Sequence, residues 1–216
     1  MLQVEPLICN PFAQNTFIVY DDDNRKAFAV DAGMYEESER LAFDRFLRQR
    51  ELRLQFLINT HLHLDHVFGN RFVAETYRVP VYYHKADEFL LPQMKEQGEL
   101  FGIPVEEIHR CPQSDAAFTG EKTVGFAGRE IRLIPVPGHS PGSVVVLLSE
   151  DGICFSGDLL FRGGVGRTDL PGGNTAQLKE SLRKIGELLS PDIRILPGHG
   201  LDTTVAAERK YNPFFI

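Results

Sequence analysis

Three cysteines in 216 residues, Cys9, Cys111 and Cys154, are odd in number and far apart. That excludes a disulfide framework and sets the expectation of a reducing compartment, the cytoplasm. No apolar run approaches the roughly 20 residues that span a bilayer, so no membrane partner is expected. The start, Met1-Leu2-Gln3-Val4-Glu5-Pro6, lacks a basic stretch followed by an apolar one and does not read as an export signal. Basic residues are in deficit, 23 Lys and Arg against 30 Asp and Glu, for a net charge of −7. Nucleic-acid binders carry a basic face, so no nucleic-acid partner is expected either. The 19 glycines and 13 prolines punctuate the chain without clustering into a linker, and no fixed-period repeat is present. What remains, 43% hydrophobic and 25% charged, is too apolar for disorder and sufficient for the core of a single domain over 1–216. Nothing in the sequence points to an oligomeric state.

The hydrophobic pattern alternates between strand and helix. Phe17–Tyr20 and Ala27–Val30 read as strands around the polar turn Asp21–Asn24. Residues 36–51, with Leu41, Phe43, Phe46 and Leu47 among charges, read as an amphipathic helix, and 65–78 as another. Phe72 and Tyr77, with Phe68, belong to the core on that pattern. Short apolar runs at 56–58, 79–83, 131–136, 143–148, 153–156 and 193–196 read as strands. Leu178, Leu182, Ile185, Leu188 and Leu189 mark one helix face, with Asn174 or Thr175 to cap it. Residues 85–109 are helical but interrupted by Pro92, Gly98, Gly102 and Pro104, and 110–128 carries the weakest periodicity. Strands and helices in both halves favour a layered α/β fold.

Five of the seven histidines stand where a metal would use them. Thr60-His61-Leu62-His63-Leu64-Asp65-His66 packs three imidazoles and a carboxylate into six residues directly after the apolar strand 56–58. Imidazole and carboxylate are preferred donors to Zn²⁺ at about 2.0–2.2 Å. So many polar groups in a buried stretch are costly without something to satisfy them. Pro137-Gly138-His139, Gly157-Asp158 and Pro197-Gly198-His199 each follow another apolar strand. Donors at the carboxyl ends of several strands can converge on one edge of a sheet. Asp31, also just after a strand, fits as a partner that orients a ligating imidazole. The donors suffice for two metals sharing a carboxylate. His84 and His109 lack partners at ligand spacing and read as surface or strand-end residues. Cys9 and Cys154 read as small buried hydrophobes.

The run from His61 to His66, with His139, Asp158 and His199 in that order, resembles the metallo-β-lactamase superfamily. The likeness extends from Val30-Asp31-Ala32-Gly33 to Pro197-Gly198-His199-Gly200. It implies a four-layer αββα sandwich, two mixed sheets with outer helices. It implies that His61, His63 and His139 hold one divalent ion, that Asp65, His66 and His199 hold a second, and that Asp158 bridges them. Zinc is the first expectation for both, with iron and manganese as alternatives. Aspartate at 158, where true β-lactamases typically have cysteine, argues against a β-lactamase.

Phe155–Phe161, Gly166–Gly173 and the ending Glu208–Phe214 are similar to the short bacterial glyoxalase II-like (hydroxyacylglutathione hydrolase-like) metallo-hydrolases. That similarity implies a small thioester as substrate, S-D-lactoylglutathione or a relative of it. Full-length glyoxalase II adds a helical C-terminal domain that helps grip glutathione; with 16 residues after Gly200, a form without that domain is expected. Two cations about 3.5–4 Å apart would bridge a water, lower its pKa towards 7 and deliver hydroxide to the thioester carbonyl. Asp65 would double as the catalytic group that steers this nucleophile.

The loop 163–173 lacks the Gly-Lys-Ser/Thr ending of a phosphate cradle, so its glycines are expected to let backbone pass close to the metals. Arg167 has two readings, pairing with Asp169 or meeting an anionic substrate. The competing function is a mononuclear-iron persulfide dioxygenase, which shares the histidine motifs and would use the positions of His61, His139 and Asp158.

Overall fold

The computed structural model describes residues 2–105 and 115–215. His109 and Cys111 lie outside the described residues. The chain forms two compact units, Met1–Phe118 and Thr119–Ile216.

The first unit is built on a six-stranded sheet of β1 (Gln3–Cys9), β2 (Gln14–Asp21), β3 (Lys26–Val30), β4 (Arg53–Ile58), β5 (Val81–His84) and β6 (Asp115–Phe118), in that spatial order. The first three strands pair antiparallel and the last three join in parallel, so the sheet is mixed. Alternate residues Ile18, Tyr20, Ala27 and Ala29 pack with Phe43 and Leu47 of α1 (Glu37–Gln49) and Val73 and Ala74 of α3 (Asn70–Tyr77). Each of the larger side chains among them, Ile18, Phe43, Leu47 and Val73, contributes about 1.5–3 kcal/mol when fully buried. Val19, Phe28 and Val30 on the opposite face are equally buried, which accounts for apolar runs where an exposed sheet would alternate. At the start of α1 the Glu39 carboxylate accepts the Tyr35 and Glu36 amides, and it also accepts that of Asn10.

The expected helix over 65–78 is two helices, α2 (Leu64–Val67) and α3. The Gly69 amide donates to Ala32 O at 2.7 Å, and this bond to the chain after β3 turns the backbone between them. Beyond β5, residues Lys85–Gln93 form 3₁₀ turns and Met94–Phe101 form α4. Phe68 is buried and Phe72 and Tyr77 pack partly buried against the core, as expected.

The second unit has its own six-stranded mixed sheet. Its strands are β7 (Lys122–Phe126), β8 (Arg129–Pro135), β9 (Val144–Leu148), β10 (Ile153–Gly157), β13 (Arg194–Pro197) and β14 (Thr203–Thr204), in the spatial order β14-β13-β10-β9-β8-β7. A small hairpin, β11 (Leu160–Phe161) and β12 (Gly164–Val165), follows β10. Ile134, Val145, Leu147 and Ile195 pack with Leu178, Leu182 and Ile185 of α5 (Thr175–Leu188) and Val205 of α6 (Val205–Tyr211). Asn174 caps α5 as expected, its Oδ1 accepting the Ala176 and Gln177 amides at 3.0 Å. The two mixed sheets with helices expected from the sequence are present. Among the described residues no helix is long and apolar enough to cross a membrane.

Candidate metal centre

In the first unit the donor loop runs from the end of β4 into α2. His61, His63 and His66 are buried, and the Asp65 carboxylate is about one-sixth exposed, at 17%. The His61 ring lies 4.0 Å from that of His66 and 4.8 Å from that of His63, centroid to centroid.

Behind this loop stands Asp31, buried and held at φ 54°. Its Oδ1 accepts the Thr60 amide at 2.7 Å, and its Oδ2 accepts the Thr60 hydroxyl at 2.7 Å. Oδ2 also lies 2.9 Å from His66 Nδ1, so that nitrogen carries a proton and donates. The Thr60 hydroxyl has spent its hydrogen on Asp31, so at 3.1 Å from His61 Nδ1 it can only accept. His61 Nδ1 is therefore protonated too. With Nδ1 donating in both rings, a metal would take each of them by Nε2.

The backbone of the loop is held from four further places. Asn10 Nδ2 donates to Asp65 O at 2.8 Å, and Asn59 Nδ2 to His66 O at 3.2 Å. The fully buried Asp87 accepts the Leu62 amide at 3.1 Å, and Gln97 Oε1 the Leu64 amide at 3.2 Å. Sequence reading missed these residues and Thr60. Asn10, Asp87 and Gln97 lie 25 to 55 residues from their partners, and no spacing rule links them.

In the second unit His139, Asp158 and His199 follow β8, β10 and β13. The Gly198 amide donates to Gly157 O at 2.9 Å and ties the last two loops together. His139 Nδ1 lies 2.7 Å from Arg167 O, a carbonyl that can only accept, so Nδ1 donates and a metal would take this ring too by Nε2. The Arg167 guanidinium pairs with exposed Asp169 through two 2.6 Å bonds. That pairing holds the Asp169 carboxyl down at about 2. Gly166 passes so close to the donors that an added Cβ would sit 1.8 Å from Asp158 O and 3.2 Å from His139 Nδ1. The close backbone passage expected of the glycine-rich loop is what this contact provides. His84 Nδ1 accepts the Ala86 amide, and burial lowers that imidazole's pKa.

Within each unit the spacings of the donor atoms suit a cation. His66 Nε2 lies 3.6 Å from Asp65 Oδ2. Asp158 Oδ2 lies 3.5 Å from His139 Nε2 and 3.7 Å from His199 Nε2. These distances are long for hydrogen bonds. They match the ~3.4 Å that separates two donors each about 2.1 Å from a tetrahedral ion. The residues fit a divalent metal, and one oxygen of Asp158 faces two imidazoles as a shared ligand would.

The sequence matches the family described as the Metallo-beta-lactamase superfamily over residues 9–199. It is 33% identical over 215 residues to a Haemophilus influenzae protein named Hydroxyacylglutathione hydrolase GloC, covering 99% of this chain and 98% of that one. Among solved structures it resembles the B3 metallo-beta-lactamase BLEG-1, with TM-score 0.86 and 31% identity over 99% of each chain. It also resembles TTHA1623 in a di-iron-bound form, with TM-score 0.82 and 31% identity, covering 97% of this chain and 99% of that one.

The chain belongs to the metallo-β-lactamase superfamily. Its two mixed sheets with helices are that family's fold, and members of the family are hydrolases that bind divalent metals.

Proposed function

We propose that this chain is a dinuclear metal-dependent thioester hydrolase of the glyoxalase II type, acting on S-D-lactoylglutathione or a similar small thioester. The observation that carries the metal reading is the fixed tautomer of His61, His66 and His139, each with Nδ1 spent on a protein acceptor. His61, His63 and His139 would hold one ion, Asp65, His66 and His199 the other, and Asp158 would bridge. Zinc is the first candidate for both, with iron and manganese as alternatives. Such ions supply a Lewis acid for the thioester carbonyl and bring the pKa of a bound water towards 7.

The chain's own part is to hold the donors before substrate arrives. Asp31 and the Arg167 carbonyl fix the imidazoles, so no ring has to reorient during turnover. Asp65 and Asp158 would bring negative charge that offsets that of the cations, and Asp65 would steer the nucleophile. The leaving thiol has a pKa near 8.5, so its departure calls for no dedicated general acid. The thioester class is supported by likeness along the whole chain to the hydrolase named for hydroxyacylglutathione.

The test is an assay panel on the purified protein: S-D-lactoylglutathione, other small thioesters, a chromogenic β-lactam, and glutathione persulfide with an oxygen electrode. Thioester turnover that disappears with a chelator and returns with zinc supports the proposal. Turnover confined to the β-lactam overturns it in favour of the lactamase named among the similar structures. Oxygen uptake on persulfide without thioester turnover overturns it in favour of the dioxygenase.

A further inference from the structure

The C-terminal segment 208–214 contributes no metal donor, yet two of its polar side chains are buried, Glu208 at 2% exposure and Asn212 at 5%. Glu208 Oε2 accepts the Gly163 amide and Asn212 Nδ2, each at 2.8 Å, and Oε1 accepts the Thr203 hydroxyl at 2.6 Å. Asn212 Nδ2 also donates to Gly164 O at 3.0 Å and reaches Phe161 O at 3.4 Å. Three of these bonds, to Gly163, Gly164 and Phe161, converge on the β11–β12 hairpin and its turn, and the Glu208–Asn212 bond ties the two side chains together.

That hairpin starts two residues after Asp158 and ends two residues before Arg167, whose carbonyl orients His139. Its base is closed by the Gly166 amide on Leu159 O at 3.4 Å. Whatever fixes the hairpin therefore fixes the spacing between the Asp158 carboxylate and the carbonyl behind His139. A buried carboxylate is an expensive way merely to pin a helix, because an apolar contact would do so without desolvating a charge. Of its three directional acceptor bonds, that from the Gly163 amide holds the turn, and those from Asn212 and Thr203 hold the carboxylate in place, which apolar packing does not do.

We propose that Glu208, with Asn212, is a positioning residue for the metal donors of the second unit, acting through the hairpin 160–165. The proposal rests on the metallo-hydrolase reading and deepens it.

The test compares Glu208→Ala, Glu208→Gln and Val205→Ala in the full chain. Glutamine keeps an acceptor for Gly163 and Asn212 and can donate to the Thr203 hydroxyl. Val205 is a fully buried residue of the same helix without a bond to the hairpin, so its truncation reports general loosening of α6. Zinc affinity is measured by competition with a chromophoric chelator, and amide exchange of residues 158–167 is followed by mass spectrometry on metal-free protein. The proposal expects zinc binding at least about tenfold weaker in Glu208→Ala than in Val205→Ala, with Glu208→Gln within about threefold of the parent. Equal affinities in Glu208→Ala and Val205→Ala overturn it. Should Glu208→Ala fail to fold, Glu208→Gln decides together with Asn212→Ala: retained affinity in the first and a tenfold loss in the second support the proposal, and equal affinities overturn it. If the parent binds no metal, the metallo-hydrolase reading fails separately. Amide exchange then decides the positioning role, with exchange faster in Glu208→Ala than in Val205→Ala supporting it and equal rates overturning it.

Discussion

Asp31 Oδ2 accepts a hydrogen bond from His66 Nδ1 at 2.9 Å and another from the Thr60 hydroxyl at 2.7 Å, so a single buried oxygen sets the tautomers of two imidazoles. Asp31→Asn keeps the shape but turns an NH₂ toward either the Thr60 amide or the Thr60 hydroxyl and His66 Nδ1, three donors that need acceptors. We predict a 10- to 100-fold loss of zinc affinity, on the order seen when outer partners of metal ligands are removed. Chelator competition reads the affinity, and the far-UV circular dichroism stays that of the parent. An affinity within about threefold of the parent would contradict this role.

His63→Ala removes a buried imidazole of the donor loop without touching Asp31, Thr60 or His66. Hydrolysis is predicted to fall to background with the fold kept and with less than the parent's metal content. Retained turnover at full metal content would sink the two-metal account.

Gly166→Ala places a Cβ 1.8 Å from Asp158 O, whereas Gly164→Ala meets nothing within 4 Å. The first is predicted to cost about 1–3 kcal/mol, the usual range for overpacking, and to weaken metal binding. The second is predicted to change stability by less than about 1 kcal/mol. Urea midpoints of the two variants side by side check the contrast.

Burial pushes the thiols of Cys9 and Cys154 up to about 12. An unfolded thiol titrates near 8.5. Between these values the unfolded chain releases protons that the native state keeps, so stability is full below about pH 8.5 and falls as pH rises. Each thiol adds up to about 1.4 kcal/mol per pH unit to that fall. Cys154→Ala is predicted to show a shallower loss of stability between pH 9 and 10.5 than the parent, read by urea denaturation at each pH. Equal slopes would contradict the burial argument.

Much of this architecture is legible in the residues because local rules decide it. The periodicity over 36–51 gives α1, the Asn174 cap gives the start of α5, and the apolar runs before each donor motif give β4, β8, β10 and β13. Where local rules are weak, the reading is weak. β1 was missed because it is an edge strand containing Pro6 whose residues are mostly exposed or half-buried, so no alternation marks it. α6 spans seven residues, about two turns, too few for a periodicity to register.

The donor residues were legible as a set because their chemistry is dense in one stretch and repeats at strand ends. The residues that orient them were not, Asp31 excepted. Asp87 lies 25 residues from Leu62, and the Glu208 carboxylate 45 from Gly163, and only the folded chain brings each pair together.

The most direct test of the central claim is the metal content of protein purified without chelator, measured by elemental mass spectrometry as atoms per chain with element identity. The account predicts close to two divalent atoms, zinc or a zinc–iron mixture. Close to one atom, nearly all iron, would contradict the two-metal hydrolase and point to the mononuclear dioxygenase instead.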